Sequence, residues 1–408
     1  MFRPFLSLSR TVYLLCLGTF INRAGTFVVV FLTLYLTDQL HLEPRFATHT
    51  MGWFGLGAVL AAGLGGHLAD SFGRRKVMLL ALFGGAGLLV WLSFIRTPWL
   101  IQMAVVLFGL VSEMYRPAAS AMIADVTEPA IRPRAFGLMY VSINLGFAVG
   151  SYVGGELAAR DYRLLFYGDA GTSVVYGLLI LLLIRETLML RHAGPGSVTA
   201  TPGAGPSPSA GTRETARHIL TNYPFLLFLL GNFFIALVFM QSMSTFPLFL
   251  RELGFAQNDY GKIIAINGLL IVCLQVPATM FLGRFHRGSV MVGGALLNAV
   301  GFGMKAFVGS FGAFAAAVVV WTLGEIMLAP FAPAIVSDFA PSTMRARYMG
   351  VYGVSFSAAM MIAAPLGGEI LTDARFGARW LWIAAAAACT VSALLYGSVR
   401  RHMAVRPA

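Results

Sequence analysis

Twelve stretches of this chain are apolar for about 20 residues or more, at 11–36, 50–69, 77–95, 99–124, 136–158, 164–184, 223–250, 260–282, 289–309, 311–336, 349–371 and 379–399. That is the length a helix needs to cross the hydrocarbon core of a bilayer, and about twice that of a barrel strand. Inside that core each backbone N–H and C=O must be satisfied within its own segment, which a helix achieves. The pattern therefore predicts an all-α integral membrane protein with 12 transmembrane helices. The charge content agrees: 11% of the 408 residues are Asp, Glu, Lys or Arg, against about 25% in a soluble domain. A disordered chain is excluded by 32 Phe and 13 Tyr, which would not stay solvated.

Most connections are short. The exception is 185–222, which contains AGPGSVTATPGAGPSPSAG and reads as a Gly/Pro/Ser-rich linker between spans 1–6 (residues 1–184) and spans 7–12 (residues 223–408). Lys and Arg set orientation: eighteen fall on the side of the N-terminus, nine on the other, and Arg23 and Arg116 lie within the membrane. The richer side is expected to be cytoplasmic, with both termini and the linker. The net charge of +12 is thus a topology signal and argues against a nucleic-acid partner. The run after Arg3 and Arg10 is too long for a signal-peptide core and no small-residue cleavage site follows it, so it reads as a retained first span. Cys16, Cys273 and Cys389 lie in separate apolar runs and form no redox or metal motif.

The chain repeats itself at an offset of 213. Asp125 meets Asp338, Arg132 meets Arg345, Arg134 meets Arg347, and Gly154, Gly155 and Glu156 meet Gly367, Gly368 and Glu369. LADSFGRRKVM (68–78) lies over FLGRFHRGSVM (281–291). The offset spans an even number of helices, so the copies are parallel repeats about an axis along the membrane normal.

The segment GGHLADSFGRRKVML (65–79) resembles the loop signature of the major facilitator superfamily, with Gly66, Asp70, Gly73, Arg74 and Arg75 in its positions. GFAVGSYVGG (146–155) is similar to the antiporter motif of that family, with Ser151 where proline is usual; TLGEIMLAP (322–330) and MYRPAASAMIAD (114–125) resemble its drug-exporter branch. The resemblance implies two six-helix bundles, a cavity lined by spans 1, 4, 7 and 10, and a charge latch at Asp70, Arg74 and Arg75. That latch is asymmetric, because Gly283 occupies the second copy's Asp70 position. From spacing alone, Gly146, Gly150 and Gly154 line one helix face and allow close packing, with Gly155 beside them.

Ionisable residues at bilayer depth are the strongest functional signal, each costing about 2.5–3.5 kcal/mol on insertion scales. Arg23 lies midway along span 1 beside Asn22, Glu113 and Arg116 in span 4, and Glu325 in span 10. These four sum to zero when ionised. Glu113 and Arg116 share a helix face at i, i+3. Glu325 has no basic neighbour in sequence, which makes it the first candidate for a proton carrier and Glu113 the second. Span 7 offers Asn232, Gln241, Ser242, Ser244 and Thr245. Asn22, Arg23, Arg116, Asn232, Gln241, Tyr115 and Phe246 are the expected substrate-cavity residues. No HExxH, paired-His or Walker motif occurs, so no metal, cofactor or ATPase chemistry is expected.

Taken with the resemblance, these residues predict a secondary transporter: a proton-coupled, monomeric exporter of small amphipathic compounds in a bacterial cytoplasmic (inner) membrane. Its partners are a small-molecule substrate, protons and lipid. Uptake symport and lipid transport use the same fold. A membrane enzyme would need a clustered His/Cys/Asp or Ser–His arrangement, and a sensor a soluble output domain; neither occurs in the sequence.

Overall fold

The computed structural model describes residues 8–128, 131–187, 212–341 and 344–403. The low-complexity part of the linker (188–211) therefore lies outside the described residues, as do Arg3, Arg191 and Arg406 of the orientation count. The described residues are helical throughout apart from short turns. Among the described residues, eleven helices are long and apolar enough to cross a membrane. The ninth of the twelve expected spans, Arg287–Met304, is an 18-residue helix. Its hydropathy is diluted by Arg287, Asn298 and its glycines, the small residues by which it packs against spans 10 and 12.

Eight spans are continuous helices: span 2, Pro44–Phe72; span 3, Arg74–Phe94; span 5, Arg132–Arg160; span 6, Arg163–Leu183; span 8, Gln257–Leu282; span 9, Arg287–Met304; span 11, Arg345–Thr372; span 12, Gly377–Ser398. The other four are broken. Span 1 is Arg10–Ala24 then Val28–Leu34, continued by a π-helical turn, Tyr35–Gln39; span 4 is Pro98–Glu113 then Tyr115–Asp125. Span 7 is Tyr223–Ser244 then Phe246–Glu252, and span 10 is Phe311–Leu328 then Phe331–Phe339.

Three of the breaks have a proline cause. Pro117, Pro247 and Pro330 have no N–H to give to the carbonyl four residues back, and their rings crowd it. In span 10 the carbonyl so released, on Ile326, accepts from Gln275 Nε2 at 3.2 Å. Span 1 has no proline and breaks at Gly25. Helix starts are conventional: Ser9 and Ser310 cap spans 1 and 10 through their hydroxyls, and Pro44 and Pro98 open spans 2 and 4. Gly73 joins spans 2 and 3 alone, at φ 106°, a conformation only glycine adopts without strain.

The end of the linker differs from the sequence expectation. Thr212–Thr221 is a helix; it lacks Gly and Pro, Ile219 is buried in the core of the second repeat, and His218 Nδ1 is 2.8 Å from Tyr348 Oη. Packing divides the chain into two compact units, Met1–Ser197 with Met243–Val272, and Val198–Ser242 with Cys273–Ala408. Each repeat has its own apolar core, and the two cores correspond at the 213 offset. Val77, Met78, Met122, Ile123 and Ile180 of one are matched by Val290, Met291, Ile335, Val336 and Ala393 of the other. Leu17, Phe94, Leu182, Met280 and Leu394 are exposed, as expected of side chains in contact with lipid.

Candidate substrate and coupling site

Every in-membrane charge picked out in the sequence lies beside a helix break. Arg23 precedes the break of span 1 at Gly25; Glu113 and Arg116 flank Met114, where span 4 breaks. Glu325 lies one turn before the break of span 10, and its carbonyl accepts from Ala329 N–H at 2.9 Å. Gln241, Ser242, Ser244 and Thr245 lead into the break of span 7. Broken membrane helices present backbone polar groups and half-helix dipole ends at mid-depth, which is how transporters build ion and substrate sites.

In the first unit, Arg116 Nε lies 2.7 Å from Glu113 Oε2, with Arg116 half-exposed and Glu113 mostly covered. Arg23 interacts electrostatically with both and with Tyr115 and Asp169. Asp169, in span 6, is buried (4% exposed) and accepts from Val28 N–H at 3.3 Å, at the start of the second half of span 1. It corrects the four-charge balance: among the mid-span charges, Arg23, Arg116, Glu113 and Asp169 of the first unit are two cations and two acids. An acid within the apolar window 164–184 was the available signal. Asn22 donates to Ser173 Oγ at 3.0 Å.

Three expected cavity residues are interior packing residues. Tyr115 is buried, its hydroxyl 2.8 Å from Thr19 Oγ1 and 2.5 Å from Tyr176 Oη. Gln241 is buried and donates to the Ala363 carbonyl at 2.6 Å, tying span 7 to span 11. Phe246 is fully buried and packs edge-on against Tyr260. Their polar or aromatic groups are engaged by neighbouring helices. Asn22, Arg23, Asn232 and Arg116 keep exposed surface.

The glycine face of span 5 packs on the broken part of span 1. A Cβ at Gly146 would lie 2.6 Å from Arg23 Cβ; at Gly150, 2.7 Å from the Arg23 carbonyl; at Gly154, 2.8 Å from the Phe31 ring. Gly155 faces span 8 instead, 3.0 Å from Asn258 Cα. Buried Ser151 lies on that side too: its carbonyl meets Gly261.

At the loop signature, Arg74 is buried (1% exposed) and lies 2.8 Å from Asp70 and 3.0 Å from Asp125. Gly73 ends span 2 and faces the Glu186 carboxylate, which accepts from Arg74 N–H at 3.0 Å and Arg75 N–H at 3.1 Å, capping span 3 from beyond span 6. Arg75 donates to the Leu181 carbonyl, and half-buried Gly66 lies one turn before Asp70. The role of Glu186 was not legible, since nothing in its local sequence points to span 3. Arg132 donates to the Thr127 and Ala124 carbonyls. At the opposite ends of the helices, Asp38 accepts from Arg251 Nε at 3.2 Å, Gln257 Nε2 at 3.0 Å and Tyr162 Oη–H at 2.9 Å. Asp38 and Arg251 are 213 residues apart: an acid and a base at equivalent repeat positions, a signal present in the sequence and missed.

The sequence model of the Major Facilitator Superfamily matches residues 15–272 and again 228–408. This chain belongs to that superfamily. It is a multi-pass membrane transporter of a small-molecule substrate, not an enzyme. Among curated relatives it is 27% identical, over 92% of both chains, to a Na(+), Li(+), K(+)/H(+) antiporter of Planococcus maritimus. It is 23% identical to multidrug resistance protein MdtH of Aeromonas hydrophila, over 91% of this chain and 90% of that one. Among solved structures, a POT peptide transporter superposes with a TM-score of 0.78 at 15% identity, covering 97% of this chain and 95% of that one. The nucleoside transporter NupG gives 0.75 at 14%, covering 96% and 99%. These structures establish the two-repeat fold.

Proposed function

We propose that this transporter is a proton-coupled exporter of small amphipathic compounds, working by alternating access of two six-helix bundles, 1–184 and 223–408, joined by the 185–222 linker. It acts as a monomer in a bacterial cytoplasmic membrane, with both termini inside. The observation that carries the reading is the placement of Arg23, Glu113, Arg116 and Glu325 beside the breaks of spans 1, 4 and 10. The similarity to a cation/proton antiporter and to MdtH supports exchange against protons. The 18-to-9 division of Lys and Arg supports the orientation; cysteines at Arg217 and Arg160 should then label from opposite faces.

Glu325 is the proposed proton carrier and Glu113 the second, its charge being balanced by Arg116. In proteoliposomes with an imposed pH gradient, wild-type protein should move ethidium uphill. Glu325→Gln should abolish that movement while leaving downhill ethidium exchange. Full pH-driven transport by Glu325→Gln transfers the role to Glu113. Proton release on addition of NaCl, LiCl or KCl, with none for ethidium, would replace the drug-export reading by cation exchange.

A further inference from the structure

We propose that Asp169 is a coupling carboxylate of the transport cycle: when ionised it fastens the second half of span 1 and Arg23, and when protonated it releases them. The proposal rests on the proton-coupled reading above and adds a group that the charge motifs do not contain.

The face of span 6 around Asp169 fits the break of span 1 residue by residue. Ser173 binds Asn22, Thr172 packs against Gly25 and Gly168 against Phe27. Asp169 takes the backbone N–H of Val28 at 3.3 Å, while Phe27 N–H turns back to the Gly25 carbonyl at 2.7 Å. Val28 N–H is a donor at the start of a half-helix, where the positive end of the helix dipole favours a carboxylate. Span 1 has no proline, so its break is held by this face and by the glycines of span 5. The carboxylate is buried at a depth where a charge persists only with partners.

Arg23 of span 1 is the charged group that acts electrostatically on Asp169. Around Arg23 stand Glu113, Tyr115 and Arg116 from span 4, and Tyr176 lies on the same helix as Asp169 two turns on. The Arg23 Nε atom is buried and makes no hydrogen bond. Its guanidinium can thus shift towards Glu113 when Asp169 becomes neutral. Beyond the break the same half-helix ends at Asp38, which binds Arg251, Gln257 and Tyr162. Release of the Val28 end therefore reaches that second polar cluster through one rigid segment. The proton enters and leaves the carboxyl oxygen; no other bond changes.

Asp169→Asn preserves an oxygen for the Val28 N–H and removes the charge. In ethidium-loaded proteoliposomes it should lower pH-driven flux at least about tenfold and keep downhill exchange within about twofold of wild type, with Asp169→Glu restoring part of the driven flux. Independently of any substrate, infrared spectra of protein labelled with 13C-carboxyl aspartate, recorded across a pH series, should show a carboxyl titration that is missing in Asp169→Asn. Wild-type driven flux and pH profile in Asp169→Asn, or an infrared titration identical in wild type and Asp169→Asn, overturns the proposal. Failure of the exporter reading looks different: wild-type protein moves no ethidium, while the infrared titration still reports on Asp169.

Discussion

Arg74 and Asp125 form an ion pair at 3.0 Å, and 213 residues on, Arg287 and Asp338 form one at 2.5 Å. The pair is the same but its surroundings differ. Arg74 is buried to 1% exposure, holds Asp70 as a second acid and donates to the Ala69 carbonyl. Arg287 and Asp338 are 27% and 47% exposed, and Gly283 stands where Asp70 would be. Span 3 is capped from a distance by Glu186, whereas span 9 is capped by its own His286, whose Nδ1 accepts from Gly288 N–H. At mid-depth the contrast is sharper: the repeat partners of Arg23, Glu113, Arg116 and Asp169 are Ala236, Ile326, Ala329 and Trp382. The fold needs none of these four charges, since its second half is built without them. They belong to what the first half does.

The largest test of that contrast is at the ion pairs. Arg74→Ala leaves two acids without their buried cation and should cost about 3–5 kcal/mol in detergent unfolding. Arg287→Ala, at a solvated pair, should cost about 0–1 kcal/mol. Equal costs would break the comparison. Glu186→Ala removes a charged cap shared by two N–H groups and should cost about 1–2 kcal/mol, with transport slowed; the same change in stability from His286→Ala would show that the two caps are equivalent. The smallest stability effect is expected from Asp70→Asn, whose side chain is 65% exposed. That variant should unfold like wild type within about 0.5 kcal/mol while transport slows, and unchanged flux would reduce Asp70 to a topology residue.

Much of this protein was decided by local chemistry that a sequence displays. The length of the apolar runs demanded helices, because only helices satisfy an isolated backbone in lipid. The 213 offset gave the repeat, which the two matching cores reproduce. Gly73, Arg74 and the Gly146, Gly150, Gly154 face were legible because each depends on backbone conformation or spacing within a few residues. The charges at Arg23, Glu113, Arg116 and Glu325 were legible because each is costly where it stands.

Tertiary structure alone decided which groups meet. Glu186 caps span 3 across more than a hundred residues, Asp169 caps the half-helix of span 1, and Asp38 gathers partners from spans 7 and 8 and from Tyr162 just before span 6. It also supplied Tyr115, Gln241 and Phe246 with partners on other helices. Such pairings depend on how helices pack, and packing is set by the summed shape of many side chains, which no short stretch of sequence carries.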